Sequence, residues 1–156
     1  MKGNDQVIQV LNDVLCAELT AVNQYFIHAM MCANWRYKKL ADHSREESID
    51  EMKHAQSLIE RILYLEGVPN MQKYMRINVG QNVPEQHAFD LEVERAAVER
   101  LNAGLELCRS VGDNGSRMLL EAILKEEEGH IDWLEAQLQQ IADIGLQNYL
   151  ALQAET

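Results

Sequence analysis

The feature that most constrains this chain is a short motif used twice at one spacing. Glu51-Met52-Lys53-His54 and Glu127-Glu128-Gly129-His130 both read E-x-x-H. Glu18 precedes the first copy by 33 residues, and Glu94 precedes the second by the same 33. Residues three apart on a helix share a face, so each Glu/His pair can aim one oxygen and one nitrogen at a common point. Four carboxylates and two imidazoles brought together are a ligand set for two metal ions in a four-helix bundle, the pattern established for di-iron and di-manganese carboxylate bundles.

The remainder of the sequence supplies the helices. From about residue 5 to 33, Val7, Leu11, Val14, Ala21, Val22, Tyr25 and Ala29 fall within about 60° of Glu18 at ~100° per residue. Leu19, Phe26 and Met30 lie on a second flank, with Asn23 just beyond, so this helix has two apolar faces. A second helix, about 38–65, carries Leu40, His54, Ala55, Leu58 and Ile62 on the Glu51 face, with Met52 and Ile59 on its flank. Gly67 and Pro69 read as its stop. Residues 67–82 lack helical period. A connection this long is unusual in a compact domain, but a helix of ~40 Å needs about this much partly extended chain to run back along it. The third helix is expected over about 84–110, and Gly112–Gly115 reads as a tight turn. The fourth is expected over about 116–143 and is ended by Gly145. A short apolar piece, 146–152, is too short to be stable undocked. The expectation is an all-α, single-domain chain over 1–156: a four-helix bundle with one long crossover and a short C-terminal fifth helix.

Charge narrows the partners. A net charge of −11 over 156 residues argues against nucleic acid or an anionic membrane. No apolar run approaches membrane-spanning length, and no apolar leader core follows Met1. Cys16, Cys32 and Cys108 are scattered, with no C-x-x-C spacing, which fits buried free thiols in a reducing compartment. A cytoplasmic protein is expected.

Six ionisable side chains buried in one bundle without a partner would cost many kcal/mol, and metal ions remove that cost. Carboxylate oxygen and imidazole nitrogen suit iron, manganese and zinc, and the absence of thiolates from the set argues against iron–sulfur and copper(I) sites. By symmetry, His54 serves one metal and His130 the other, Glu51 and Glu127 bridge, and Glu18 and Glu94 are terminal. Tyr25, on the Glu18 face, is placed to hydrogen-bond a ligand or donate an electron. Redox-active metal with a nearby Tyr suggests oxidation of two Fe²⁺ by O₂ or H₂O₂. Glu47 faces inward one turn before Glu51, as an extra ligand, as a carboxylate on the iron's path, or as a residue at the bundle's edge. A single E-x-x-H is weak, since such a pair is often solvated; two copies with matched upstream glutamates are specific.

Met52, on a helix's outer flank, is either ordinary contact packing or a thioether available as an axial haem ligand. At this point the sequence resembles the bacterioferritins, the haem-containing bacterial branch of the ferritin-like proteins. The resemblance runs through Asn23-Gln24-Tyr25-Phe26, Glu47-Ser48-Ile49-Asp50-Glu51-Met52-Lys53-His54-Ala55, Leu65-Glu66-Gly67-Val68-Pro69-Asn70, His130-Ile131-Asp132-Trp133-Leu134-Glu135 and Gly145-Leu146-Gln147-Asn148-Tyr149-Leu150. It implies iron storage in a hollow homo-oligomeric shell of twenty-four subunits. Each subunit would hold two iron ions in a ferroxidase centre at Glu18, Glu51, His54, Glu94, Glu127 and His130. A b-type haem shared by two subunits would be ligated by Met52 from each and lined by Leu19, Asn23 and Phe26. A small ferredoxin would pass electrons through the haem for iron release, and the last helix would line the four-fold axis near Asn148.

The sequence departs from that pattern in places. Some relatives carry a histidine where this chain has Glu46, forming with Asp50 an inner-surface iron site, so only Asp50 remains as a candidate ligand there. Asn34, Glu66 and Asp132 match polar pore residues of the family, whereas Gln139 and Ala151 replace polar or acidic ones. His28, His43 and His87 match no functional position and read as surface or satisfied histidines; Trp35 and Trp133 read as packing. Two other readings share the fold. A rubrerythrin-type di-iron peroxidase or oxygenase would ordinarily carry rubredoxin-like Cys motifs, and a non-enzymatic shell subunit would use its metal site only structurally.

Overall fold

A computed structural model describes residues 1–154, so the last two residues of the expected 1–156 domain lie outside the described residues. Five helices follow in order: α1 (Asp5–Asn34), α2 (Lys38–Tyr64), α3 (Val83–Ser110), α4 (Asn114–Ile144) and α5 (Leu146–Gln153). The first four form the bundle expected of an all-α ferritin-like chain. α1 packs on α2 and α3, α3 packs on α4, and α5 docks on α4 and α2.

Local chemistry sets the helix starts. The Asn4 side chain accepts from the Gln6 and Val7 amides, Asn82 accepts from Glu85 N with Pro84 in the first turn, and Asp113 accepts from Ser116 N. The last cap moves the start of α4 into the expected tight turn, two residues before Ser116.

The helix ends depart from the Gly stop expected at Gly67. α1, α2 and α3 each close with a left-handed residue followed by a 6→1 hydrogen bond: Tyr37 N to Cys32 O, Gly67 N to Ile62 O and Asp113 N to Cys108 O. The left-handed residues are Arg36 (φ 70), Glu66 (φ 62) and Gly112 (φ 77), so glycine fills the position in one case of three. Gly67 serves packing instead, since a Cβ there would lie 2.8 Å from Ile8 Cγ2.

The crossover does run back along the bundle, and polar side chains of α1, the half-buried Asn12 and the buried Thr20, Gln24 and His28, hold it. Asn70 N donates to Asn12 Oδ1 (2.8 Å), Met75 N to Thr20 Oγ1 (2.9 Å), Asn78 N to Gln24 Oε1 (3.1 Å) and Gly80 N to His28 Nε2 (3.0 Å). The loop amides thus find acceptors spaced up the helix, which is how an irregular segment satisfies its backbone.

Two apolar clusters sit at opposite ends of the bundle. One gathers Val7, Leu11, Val14, Leu58, Ile62, Leu101 and Leu120. The other gathers Cys32, Leu40, Val83 and Tyr149 with Trp35 and Trp133 packed on it. Between them lies a buried polar waist, and there the doubled motif sits. Cys16, Cys32 and Cys108 are buried free thiols.

Candidate metal centre

All four helices place one acidic residue in the waist, because each glutamate falls on its helix's inward stripe. Glu18, Glu51, Glu94 and Glu127 are at most 2% exposed. His54 follows Glu51, and His130 follows Glu127, by one helical turn. His54 Nδ1 lies 3.3 Å from Glu51 Oε2, 3.4 Å from Glu127 Oε1 and 3.5 Å from Glu18 Oε2. His130 Nδ1 lies 3.2 Å from Glu51 Oε1, 3.3 Å from Glu94 Oε1 and 3.7 Å from Glu127 Oε1. The six residues form two overlapping groups, Glu18/Glu51/His54/Glu127 and Glu51/Glu94/Glu127/His130, with donor atoms in each within 4.8 Å of one another. Glu51 and Glu127 belong to both.

The donor set fits metal on an independent observation. Glu18 Oε2, Glu51 Oε1, Glu94 Oε2 and Glu127 Oε1 are buried without a hydrogen-bond partner. A buried carboxylate oxygen left without a hydrogen bond costs several kcal/mol, and one on each of four converging helices, beside two imidazoles, makes a donor set that fits cations.

The electrostatics show the same tension. Burial pushes the Glu94 and Glu127 carboxyls up, and at Glu94 the neighbouring Glu127 adds to it. Burial would also raise Glu51, yet the adjacent His130 and His54 outweigh it and hold that carboxyl at about 2. Burial opposes the imidazolium forms, but Glu127 and Glu51 hold His54 up at about 11, and Glu51 and Glu94 hold His130 at about 11. The surrounding carboxylates thus favour positive charge at both rings, against the effect of burial.

Tyr25 is fully buried and its hydroxyl donates to the Glu94 carboxylate. Burial raises its pKa, and the Glu94 charge raises it further. Glu47 is buried but outside both groups; its Oε1 pairs with His43 Nε2 at 2.7 Å. Asp50 is half-buried, Glu46 is exposed, and neither joins either group.

The histidines without a functional match are satisfied by neighbours. His28 Nε2 accepts from Gly80 N, which puts the ring proton on Nδ1, 2.9 Å from Asp90 Oδ1. His43 stacks on Trp133 with ring centroids 3.6 Å apart. His87 Nε2 meets the Tyr149 hydroxyl at 3.0 Å, and burial lowers its pKa to about 4.

Outside the waist, Met52 is 53% exposed, although it stands between the buried Glu51 and His54. Phe26 (48%), Met30 (50%) and Ile49 (47%) are exposed as well. Asn23 is exposed and donates to Leu19 O, whereas Leu19 is buried in the core.

The sequence pattern missed two sets of residues. Asp90, held by Gln24 Nε2 (2.8 Å) and His28, is buried on α3 one turn before Glu94, and a second carboxylate at that helical spacing was the available signal. Glu126, 2.5 Å from His54 Nε2, had none, because it reaches the ring from the solvent side of α4.

The helices and their two overlapping acidic groups are those of a four-helix bundle with a candidate carboxylate–histidine metal site. A sequence-family model described as Ferritin-like domain matches residues 8–144. Among curated proteins, the chain is 48% identical to a bacterioferritin of Streptomyces coelicolor, over 97% of this chain and 90% of the relative. It is 46% identical to one from Brucella melitensis, over 99% and 96%. It is 43% identical to one from Mycolicibacterium paratuberculosis, over 97% and 95%. The chain belongs to the ferritin family, on the bacterioferritin branch.

Proposed function

We propose that this protein stores and detoxifies iron, oxidising Fe²⁺ at the paired site and depositing ferric mineral inside a hollow shell of twenty-four copies. The observation that carries the proposal is the set of four buried carboxylate oxygens without a hydrogen bond, beside two imidazoles. Fe²⁺ is the substrate. His54, Glu18 and the shared Glu51 and Glu127 hold one ion; His130, Glu94 and the same shared pair hold the other. Four carboxylates balance two divalent charges. Each ion gives up one electron, and the pair of electrons, with two protons from solvent, reduces O₂ to H₂O₂ or H₂O₂ to two waters. Tyr25 keeps the Glu94 carboxylate oriented through its hydroxyl.

The apolar face supports a second element of the proposal. Met52 and Phe26 leave a thioether and a ring unburied on α1 and α2. A second copy meeting this face about a two-fold axis would bring two Met52 sulfurs together, with Asn23 and Leu19 at the margin. Two sulfurs so placed would hold a b-type haem, which supplies a one-electron path for iron release from a small ferredoxin. Met30 and Ile49 would be covered in the same contact. A cytoplasmic location fits the free thiols; among the described residues no helix is long and apolar enough to cross a membrane.

The test is anaerobic addition of Fe²⁺ followed by air, with ferric absorbance and particle size recorded. The parent should oxidise iron rapidly and form mineral-filled particles, whereas Glu127→Ala, which strips a shared ligand from both positions, should be slow. A Glu127→Ala protein as fast as the parent would remove the paired site from the reaction. Met52→Leu should abolish a bis-thioether haem spectrum while leaving oxidation intact; an unchanged spectrum would exclude Met52.

A further inference from the structure

The two imidazoles are not equally supported. Both turn Nδ1 toward the carboxylates, but only His54 has its outer nitrogen held, with Nε2 lying 2.5 Å from Glu126 Oε2. Among the described residues no acceptor lies within hydrogen-bonding distance of His130 Nε2. Glu126 immediately precedes the shared ligand Glu127, so one short stretch of α4 supplies a candidate metal ligand from one residue and an anchor for the opposite helix's histidine from the next. Glu126 is itself 58% exposed, so water can solvate the oxygen not used on the ring.

We propose that Glu126 is a positioning residue for the His54 metal position. It fixes the ring through Nε2–H and makes Nδ1 a stronger donor, so the two metal positions differ in affinity and the His54 position fills first. The physical basis is general. An imidazole that gives its distal N–H to a carboxylate has its orientation and tautomer fixed and its basicity raised, and loss of such a partner costs roughly 10–100-fold in metal affinity. The E-x-x-H repeat is symmetric in its ligands, and Glu126 breaks that symmetry. The inference rests on the paired-site reading above, and the experiment separates the two.

Co²⁺ is titrated into the metal-free assembled protein, with visible d–d absorption and calorimetry followed together. The parent should take up two equivalents per chain in two resolved steps. Glu126→Ala should weaken the tighter step by roughly 10–100-fold and alter its absorption band, leaving the weaker step in place. Glu126→Gln keeps an oxygen acceptor without the charge and should fall between the parent and Glu126→Ala. Glu128→Ala removes the same charge from an exposed site on the same helix and should match the parent, which separates a held ring from mere attraction of cations. Equal weakening in Glu126→Ala and Glu128→Ala would overturn the proposal, as would an unchanged tight step in Glu126→Ala. A parent that binds fewer than two equivalents would overturn the paired-site reading and this inference with it.

Discussion

Loading the metal-free centre with two divalent ions should release protons, in a number that follows from the site's own charges. His54 and His130 are held at about 11 by the surrounding carboxylates, so at pH 7 both rings are protonated, and each must lose its proton before Nδ1 can bind a metal. Two protons per pair of ions is therefore the minimum. Glu94 and Glu127, both pushed up by burial, add any they carry. Two obligatory protons make the overall constant for the pair rise about 100-fold for each unit of pH across the neutral range. The sign for the metal-free fold runs the other way. The raised histidines contribute stability that is fully present below their ordinary value and is lost as pH climbs through about 11. Glu51, held at about 2, contributes stability above the ordinary carboxylate range that is lost as pH falls through about 2. Calorimetry of Zn²⁺ or Co²⁺ binding in two buffers of different ionisation enthalpy gives the proton count directly. Metal uptake without net proton release, and with affinity flat between pH 6 and 8, would refute the charge balance described for the waist.

Other expectations concern the frame that holds the site. Gln24 is fully buried and joins the crossover amide of Asn78 to the Asp90 carboxylate. Gln24→Leu strands the Asn78 amide and takes one of the two donors from Asp90, which keeps His28; it should cost roughly 1–3 kcal/mol, a fall in Tm on the order of 2–12 °C, while Co²⁺ stoichiometry stays at two. Arg36 and Glu66 pay for left-handed backbone that glycine adopts freely. Arg36→Gly should therefore raise stability by about 1 kcal/mol in a denaturant melt, and a loss would mean that the arginine side chain matters more than the backbone. Replacing Glu18 should lower metal-linked stabilisation at one position, whereas replacing Glu127 should lower it at both. A thermal melt with and without Zn²⁺ distinguishes these, since saturation at ~100 times Kd adds about 2.7 kcal/mol per site.

The fold was legible where residue type and period act together. Apolar residues at helical spacing located all four long helices, and the length of the gap after Pro69 was enough to expect a crossover along the bundle. The doubled motif, read with its upstream glutamates, named the six residues that the waist brings together, because each falls on an inward stripe. What escaped depended on partners distant in sequence. Nothing local says that Thr20, Gln24 and His28 accept hydrogen bonds from residues 75–80, since a polar residue on a helix looks alike whether it faces water or a loop amide. Arg36 and Glu66 in left-handed conformation were equally hidden, because sequence rules expect glycine there and tertiary packing overrode them. Glu126 was passed over because it lies off the inward face, and only the reach of its side chain past the helix edge brings it to His54.

The most direct test of the account is anomalous diffraction from crystals soaked anaerobically in Fe²⁺. Two peaks per chain are expected in the waist, one among Glu18, Glu51, His54 and Glu127 and the other among Glu51, Glu94, Glu127 and His130, with the shared glutamates touching both. A single peak, or iron bound only at other residues, would contradict the claim that this bundle is built around a pair of metal ions.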